Sequence, residues 1–321
     1  MSAVAPVTDN HAELRQALSS LIDSGTSIAD LADLAGTSRS SISRFLNEPG
    51  WGSPQLIAKI ERLVERLHNR SAAATTVKVS EDGFVWTADA NEVFWVCELS
   101  MQNRRLGVIV APPGTGKTFA LERFVRNKPD SVVFVRANPN MSSAGLCIRI
   151  GQQLGLNLVN GQSLDYMVDS IVARLREDPK LVIIDEADYL TSKASLRRME
   201  LLRTIYDESG CGMVLCGMPR LMTALTSGLS MKDNLAQFYS RVAYLRKLQG
   251  WSDDEIRAFA RNYELEADAW ALIYKLARDQ ERGGMRRIGN LLANAAYLAD
   301  GERITLNHLR TAAQELELMR G

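Results

Sequence analysis

The segment 111–118, which reads APPGTGKT, constrains the fold of this 321-residue chain more than any other segment. It directly follows the apolar run LGVIV and directly precedes the helix-forming stretch FALERFV. Gly114 and Gly116 would let backbone N–H groups wrap phosphate oxygens, and Lys117 would bring a cation to the β- and γ-phosphates. The Thr118 hydroxyl would bind Mg²⁺. The residues predicted to contact nucleotide in this loop are Pro113, Gly114, Thr115, Gly116, Lys117 and Thr118.

A second segment, 181–188, reads LVIIDEAD and places acids directly after four aliphatic residues. Asp185, at the end of the predicted strand, would hold the Mg²⁺ ion, and Glu186 would orient and polarise the attacking water. The two segments together predict a site for ATP and Mg²⁺ with hydrolysis as its chemistry.

The sequence around these motifs alternates short apolar runs with longer amphipathic stretches. The runs cover 106–110, 132–135, 181–184 and 213–215. Such alternation predicts an α/β fold with a parallel sheet covered by helices. Strand patterns end near Ser252, which has capping-box spacing to Glu255, and the rest of the chain has helical periodicity. The predicted helices there cover 256–263, 270–279, 285–298 and 306–318.

The N-terminal 70 residues are helical in pattern, and the polar, β-branched segment 71–82 separates them from the sheet region. We therefore predict an all-α domain at 1–70, a linker at 71–88, a nucleotide-binding core at 89–250 and a C-terminal helical lid at 251–321.

The composition is that of a packed globular protein, with 46% hydrophobic and 24% charged residues. Because Lys plus Arg and Asp plus Glu each number 38, the charge of the whole chain favours neither nucleic acid nor a membrane. No secretion signal or long apolar stretch is present, so a cytoplasmic protein without membrane contact is expected. Cys97, Cys147, Cys211 and Cys216 lack CxxC spacing and are expected to be buried thiols.

The segment 28–46, IADLADLAGTSRSSISRFL, has the spacing of a helix-turn-helix. Ala32 is small where the helices would cross, Gly36 suits a left-handed turn, and Ser38 can cap the second helix. The predicted shared interior consists of Ile28, Leu31, Ala35, Ile42 and Phe45. The second helix would present Arg39, Ser40, Ser41, Ser43, Arg44 and Asn47 outward, and the DNA contacts predicted among these are Arg39, Ser40 and Arg44. A three-helix protein-interaction domain is the alternative, since this region is not clearly basic.

A further basic set, Lys193, Arg197, Arg198 and Arg203, follows the acidic segment on one predicted helix. In an oligomer this helix could follow a DNA backbone through Lys193, Arg197 and Arg198. The alternative is an ordinary solvated helix face.

From Arg105 to about Glu317 the chain resembles the AAA+ ATPases, which combine a P-loop parallel-sheet core with a helical lid. The resemblance implies that Arg241, in FYSRVA, is an arginine finger acting on a neighbouring subunit, so that hydrolysis requires a homo-oligomer. It also implies that Arg286, or failing that Arg287, in GGMRR reaches the nucleotide from the lid. Where the family commonly has Asn, Thr or Ser as sensor 1, this chain has Cys216, Gly217 and Met218, which puts γ-phosphate sensing there in doubt.

The order of helix-turn-helix, linker, AAA+ core and lid resembles that of the B transposition protein of bacteriophage Mu and its relatives. ISRFLN, the P-loop, VIIDEAD, VLCG, FYSRVA and the stretch from Gly283 carry this resemblance. It implies a weak, DNA- and oligomer-stimulated ATPase that assembles on double-stranded DNA as rings or filaments and activates a DNA transposase. The alternatives are a helicase loader or insertion-sequence helper ATPase, and an ATP-sensing transcriptional regulator.

Overall fold

The computed structural model describes residues 11–23, 28–48, 50–72, 77–191, 196–226, 238–279 and 284–316. The chain divides into two compact units, Met1–Val77 and Lys78–Gly321. The division falls inside the polar segment in which the sequence placed the domain boundary.

The first unit is helical and has its own apolar core. Its helices are α1 (Ala12–Asp23), α2 (Ile28–Ala35), α3 (Arg39–Asn47) and α4 (Pro54–Ala72). The predicted interior is confirmed, because Leu31, Ala35, Ile42 and Phe45 are buried and Ile28 packs against them. Gly36 takes a left-handed φ of 59°, and the Ser38 hydroxyl accepts a hydrogen bond from the Ser41 N–H at 3.1 Å. The turn between α2 and α3 is therefore built as its sequence predicts.

The second unit begins with a short antiparallel hairpin, β1 (Lys78–Val79) and β2 (Val85–Trp86). Phe84 is buried and stacks on Phe119, while Trp86 contacts Phe94 edge-on. The linker predicted at 71–88 is therefore wrong at both ends, since α4 continues to Ala72 and residues 78–88 pack on the core. The physical reason is the pair of aromatic side chains, which bury more apolar area than a solvated linker would.

A five-stranded parallel sheet forms the centre of this unit. Its strands and helices are α5 (Ala88–Asn103), β3 (Leu106–Val110), α6 (Lys117–Asn127), β4 (Val132–Arg136), α7 (Ser143–Gln153), α8 (Leu164–Glu177), β5 (Leu181–Asp185), α9 (Leu196–Ser209), β6 (Met213–Gly217), α10 (Pro219–Thr226) and β7 (Val242–Lys247). The strand order is β4-β5-β6-β3-β7. Strands β3, β5 and β6 are buried at every position, which explains why they read as continuous apolar runs.

Alternate residues of these strands face opposite layers of helices. Val108, Val133 and Leu215 belong to the same cluster as Leu146 of α7 and Ile171 of α8. On α5, Val93, Val96 and Cys97 are fully buried. The α/β fold with a parallel sheet is thus confirmed, and the four cysteines are buried free thiols as expected.

In the predicted lid, the described residues form four helices with a separate core. These are α11 (Asp253–Phe259), α12 (Ala269–Arg278), α13 (Gly284–Ala299) and α14 (Leu306–Glu315). Ile256, Ile273, Ile288 and Leu309 are fully buried in that core. The predicted capping box of Ser252 and Glu255 is present at the start of α11. Among the residues that the structure describes, no helix is long and apolar enough to cross a membrane.

Gly212, just before β6, offers a test of this packing. A β-carbon there would overlap the carbonyl oxygen of Ser100 on α5, so Gly212→Ala should lower the free energy of unfolding by about 3 kcal/mol. Urea denaturation measures this loss. Gly210→Ala is the control, because Gly210 has a φ of 64° but open space around it, and should cost about 1 kcal/mol. Equal losses in the two variants would contradict the packing argument.

Candidate nucleotide-binding site

The glycine-rich loop at 111–116, called the phosphate loop below, lies between the carboxyl end of β3 and the start of α6. Gly114 and Gly116 have φ values of 77° and 92°, a region that favours glycine. The Lys117 ammonium donates to the carbonyl oxygens of Ala111 at 2.9 Å and Pro112 at 2.8 Å. The loop therefore curls around its own lysine, with α6 starting directly behind it.

The Thr118 hydroxyl and the Asp185 carboxylate meet across the ends of β3 and β5. Thr118 Oγ1 donates to Asp185 Oδ2 at 2.7 Å, and Asp185 Oδ1 accepts from the Glu186 N–H at 2.9 Å. Asp185 is 1% exposed. A hydroxyl and a buried carboxylate are hard oxygen donors of the kind that Mg²⁺ takes alongside phosphate oxygens. These two side chains therefore fit a magnesium ion bound with nucleotide.

Glu186 follows Asp185 in a left-handed conformation, with a φ of 56°. Such a conformation is uncommon for glutamate and is typical of functional sites. Burial raises the pKa of its carboxyl group, and the nearby charges of Asp185 and Asp188 raise it further, against a lowering effect of Lys117 and Arg136. Glu186 is thus a carboxylate with raised basicity beside the phosphate loop.

Arg136, the last residue of β4, is a member of this site that sequence reasoning missed. It lies opposite Asp185 in the parallel pairing of β4 and β5. Its Nε is 3.5 Å from Asp185 Oδ2, and its guanidinium also pairs with Glu122 at 2.8 Å. The signal is present in the sequence, as an arginine ending an apolar run, but it needs the strand order to be interpreted.

The end of β6 explains the unusual residues at the sensor 1 position. A β-carbon on Gly217 would lie 2.7 Å from Asp188 Oδ1, so a side chain has no room there. Asp188 is buried, accepts from the Met218 N–H at 3.0 Å and pairs with Arg220. Cys216 is fully buried, and burial raises the pKa of its thiol well above the ordinary value. This strand end therefore presents a neutral thiol and backbone groups.

The lid touches the phosphate loop at the start of α13. Gly284 has a φ of 46°, and a β-carbon on it would lie 3.4 Å from the Gly114 carbonyl oxygen. Arg286 follows two residues later and is exposed, whereas Arg287 is half-buried. Gly283 lies outside the described residues. The structure brings the first turn of α13 to the loop, and nucleotide contact by Arg286 stays a prediction.

Arg241 is not brought to this site. Arg241 directly precedes β7, and its Nε pairs with Asp207 Oδ1 at 2.6 Å. The next residue, Val242, pairs with Leu106 at the start of β3, whereas the phosphate loop follows the end of β3. Arg241 and the loop therefore lie at opposite ends of the sheet.

The predicted DNA contacts differ in their accessibility. Arg39 and Ser40 are exposed on α3, and Arg44 is exposed while pairing with Glu48 at 3.0 Å. Arg197 is exposed on α9, and Lys193 lies outside the described residues.

The prediction for Arg198 is wrong. Its side chain is buried and donates a hydrogen bond to the Met141 carbonyl oxygen. Neighbouring residues of a helix point about 100° apart, so Arg197 faces solvent while Arg198 faces the interior.

Comparison with known proteins agrees with this geometry. A family model described as an AAA domain matches residues 100–225. Over 276 residues the chain is 29% identical to the Mu-like prophage FluMu DNA transposition protein B of Haemophilus influenzae, covering 85% of this chain and 92% of that protein. The chain therefore contains a segment that matches an AAA domain, and over most of its length it resembles transposition protein B. It is also 23% identical to a potential ATP-binding protein of Staphylococcus aureus, over 54% of this chain and 69% of that protein.

Solved structures share this fold. The Orc1 protein of Aeropyrum pernix, solved in complex with DNA, matches with a TM-score of 0.54 and 19% identity over 72% of this chain and 65% of that chain. The Walker-type ATPase of Pyrococcus abyssi matches with a TM-score of 0.54 and 16% identity over 75% and 74% of the two chains. At these identities the likeness establishes the fold alone.

The environment of Glu186 predicts a pH dependence of ATP hydrolysis. The carboxylate must be deprotonated to polarise water, so kcat should fall with decreasing pH, with a midpoint above the ordinary glutamate pKa. Measurement of kcat against pH at saturating ATP checks this. Arg136→Gln removes a cation that lowers the pKa of Glu186 and should move the midpoint to higher pH. A midpoint that stays in the ordinary range in both proteins would contradict the assignment.

Proposed function

We propose that this AAA+ protein is a weak, DNA- and oligomer-stimulated ATPase that binds double-stranded DNA with little sequence preference and activates a DNA transposase. The observation that carries the proposal is the meeting of Lys117, Thr118, Asp185 and Glu186 at one end of the sheet. The relationship over most of both chains to a DNA transposition protein supports the biological setting.

The site residues divide the chemistry among them. Backbone N–H groups of the loop and the Lys117 ammonium would bind the phosphates, while Thr118 and Asp185 would hold Mg²⁺. Bound Mg²⁺ would neutralise charge on the β- and γ-phosphates. Glu186 would orient the attacking water and accept its proton. The buried thiol at the sensor 1 position offers the γ-phosphate neither the amide nor the hydroxyl donor that Asn, Thr or Ser would supply, which favours slow turnover.

DNA contact would come from exposed basic residues on both units. Arg39, Ser40 and Arg44 lie on α3, the second helix of the α2–α3 pair, where phosphates and base edges are within reach of such a helix. Arg197 would add a contact from α9. With equal numbers of acidic and basic residues in the chain, one subunit binds weakly, and several subunits must act together.

The position of Arg241 supports an oligomeric enzyme. Five residues of β3 separate its end of the sheet from the phosphate loop, roughly 16 Å at 3.3 Å per residue. An arginine side chain does not span that distance, so a phosphate that Arg241 contacts belongs to another subunit. The same contact would make subunit association depend on the bound nucleotide.

The first prediction from this function concerns nucleotide control of DNA binding. Lys117→Ala should abolish ATP-stimulated binding to random-sequence duplex DNA, because the loop loses its cation. Glu186→Gln should give a persistent DNA-bound assembly, because ATP binds but is not cleaved. Fluorescence anisotropy with no nucleotide, ADP or ATP, together with electron microscopy, measures both effects.

The same experiment separates the alternatives. ATP-dependent filaments on any duplex favour the transposition function, and wild-type binding by Lys117→Ala would reject the nucleotide switch. Nucleotide-independent binding at one preferred sequence would indicate a transcriptional regulator. ATP-dependent assembly that stimulates no strand transfer by a transposase but loads a helicase would indicate a loader.

The second prediction concerns Arg241 in trans. Arg241→Ala should lower turnover strongly while leaving ATP affinity near that of the wild type. Mixing it with Glu186→Gln subunits should restore part of the turnover. The Glu186→Gln subunits carry an intact Arg241, which they supply to the sites of Arg241→Ala subunits, where Glu186 is intact. Steady-state ATPase assays across mixing ratios measure this.

The control for the mixing experiment is the double variant Glu186→Gln/Arg241→Ala, which should restore nothing. Turnover by Arg241→Ala alone that matches the wild type at high protein concentration would contradict the assignment, as would equal rescue by the double variant.

A further inference from the structure

The chain passes from β7 to the lid through residues 248–252, and this segment is fixed to the start of α5. The buried carboxylate of Asp89 accepts from the Gln249 N–H at 2.9 Å and the Gly250 N–H at 2.7 Å. Glu255, also buried, accepts from the N–H groups of Ala88 and Ser252. Two buried carboxylates thus hold the residues on either side of Trp251 in one place.

Trp251 extends from this anchored segment to the phosphate loop. Its indole N–H donates to the Thr115 carbonyl oxygen at 3.0 Å. The ring also lies against Gly116, since a β-carbon there would be 3.6 Å from Trp251 Nε1. On the lid side the ring packs edge-to-face on Phe259 of α11, with ring centroids 5.6 Å apart. Trp251 therefore contacts the loop and the lid with one side chain.

The accepted hydrogen bond fixes a peptide plane of the loop. In a trans peptide the C=O and N–H point in opposite directions, so holding the Thr115 oxygen also sets the direction of the Gly116 N–H. Gly114 and Gly116 on either side have left-handed backbones and wide conformational freedom. An external hydrogen bond to the Thr115 oxygen restricts the second of the two peptide planes between these flexible residues.

We propose that Trp251 is a positioning residue for nucleotide binding, which fixes the Thr115–Gly116 peptide so that the loop is pre-organised for phosphate. The inference rests on the proposed nucleotide site and adds a residue that is neither in the loop nor in contact with the reacting atoms. Gly284 packs on Gly114 from the same lid, so the lid holds the loop on both sides of Thr115. Lid position and loop conformation are then coupled through Trp251.

The test removes the donor and keeps an aromatic ring. Trp251→Phe in the full chain should weaken both ADP and ATP binding about fivefold, the size expected for one lost hydrogen bond. Both nucleotides should be affected because both place phosphate in the loop. At saturating ATP, kcat should stay within about twofold of the wild type, since the variant changes binding rather than the chemical step. Isothermal titration calorimetry and steady-state kinetics measure the two quantities.

Phe259→Leu is the matched control, because it removes the ring contact on the lid side and leaves the indole N–H in place. It should lower the melting temperature and leave ADP affinity within about twofold of the wild type. If Phe259→Leu weakens ADP binding as much as Trp251→Phe does, packing alone explains the effect and the inference is overturned. Wild-type ADP affinity in Trp251→Phe overturns it too.

A measurement on the unaltered protein covers the case in which Trp251→Phe does not fold. The indole ¹⁵N–H signal of Trp251, assigned by NMR correlation to its backbone, should shift on saturation with ADP, whereas that of Trp51 in the first unit should not. An unmoved Trp251 signal would refute the inference. If the wild type binds no nucleotide at all, the proposed function fails as well. If it binds nucleotide but the indole signal of Trp251 does not shift, only the inference fails.

Discussion

The hydrogen bond from the Thr118 hydroxyl to the Asp185 carboxylate joins the two halves of the candidate site. The strand order of the sheet brings these two side chains together. The donor follows β3, the acceptor ends β5, and β6 lies between them. At the end of β6, Gly217 leaves no room for a side chain, because a β-carbon there would lie 2.7 Å from Asp188 Oδ1. The departure at the sensor 1 position is thus linked to how tightly this chain closes the strand ends.

The local sequence predicts those features of the fold and the site that depend only on residues close together in the chain. The phosphate loop, the acidic strand end, the helix caps and four of the five strands of the parallel sheet follow from short patterns, because each pattern carries its own geometry. The sequence does not predict Arg136 as a site residue, because its position opposite Asp185 depends on β4 lying beside β5. No local pattern gives the order of the strands. The basic cluster predicts Arg198 as a DNA contact because it indicates charge but not the rotation of the helix. The hairpin at Phe84 falls within the predicted linker, since two-residue strands leave almost no alternation to detect.

Pairing of charges within the second unit bears on how DNA would be held. Near the site, Arg136 pairs with Glu122 and Asp185, Arg220 with Asp188, and Arg246 with Glu92. Pairing with a carboxylate reduces the positive field that each of these arginines would offer to DNA. In the proposed function, a subunit whose arginines are paired in this way would gain DNA affinity mainly by multiplicity, because contacts of linked subunits on one duplex reinforce each other. Weak binding by single subunits would also make release complete once the subunits separate.

The geometry of the sheet then limits the kind of assembly. In the proposed function the phosphate loop of one subunit receives Arg241 of another, and these two features lie at opposite ends of parallel strands. The two surfaces that meet are consequently different, so the contact is head to tail rather than a self-complementary pairing. A repeated head-to-tail contact either closes as a ring or continues as a helix, and in both forms every internal site is completed by a neighbour. Nucleotide at that contact would then control assembly length as well as hydrolysis, because the phosphate that Arg241 touches is the one that hydrolysis removes.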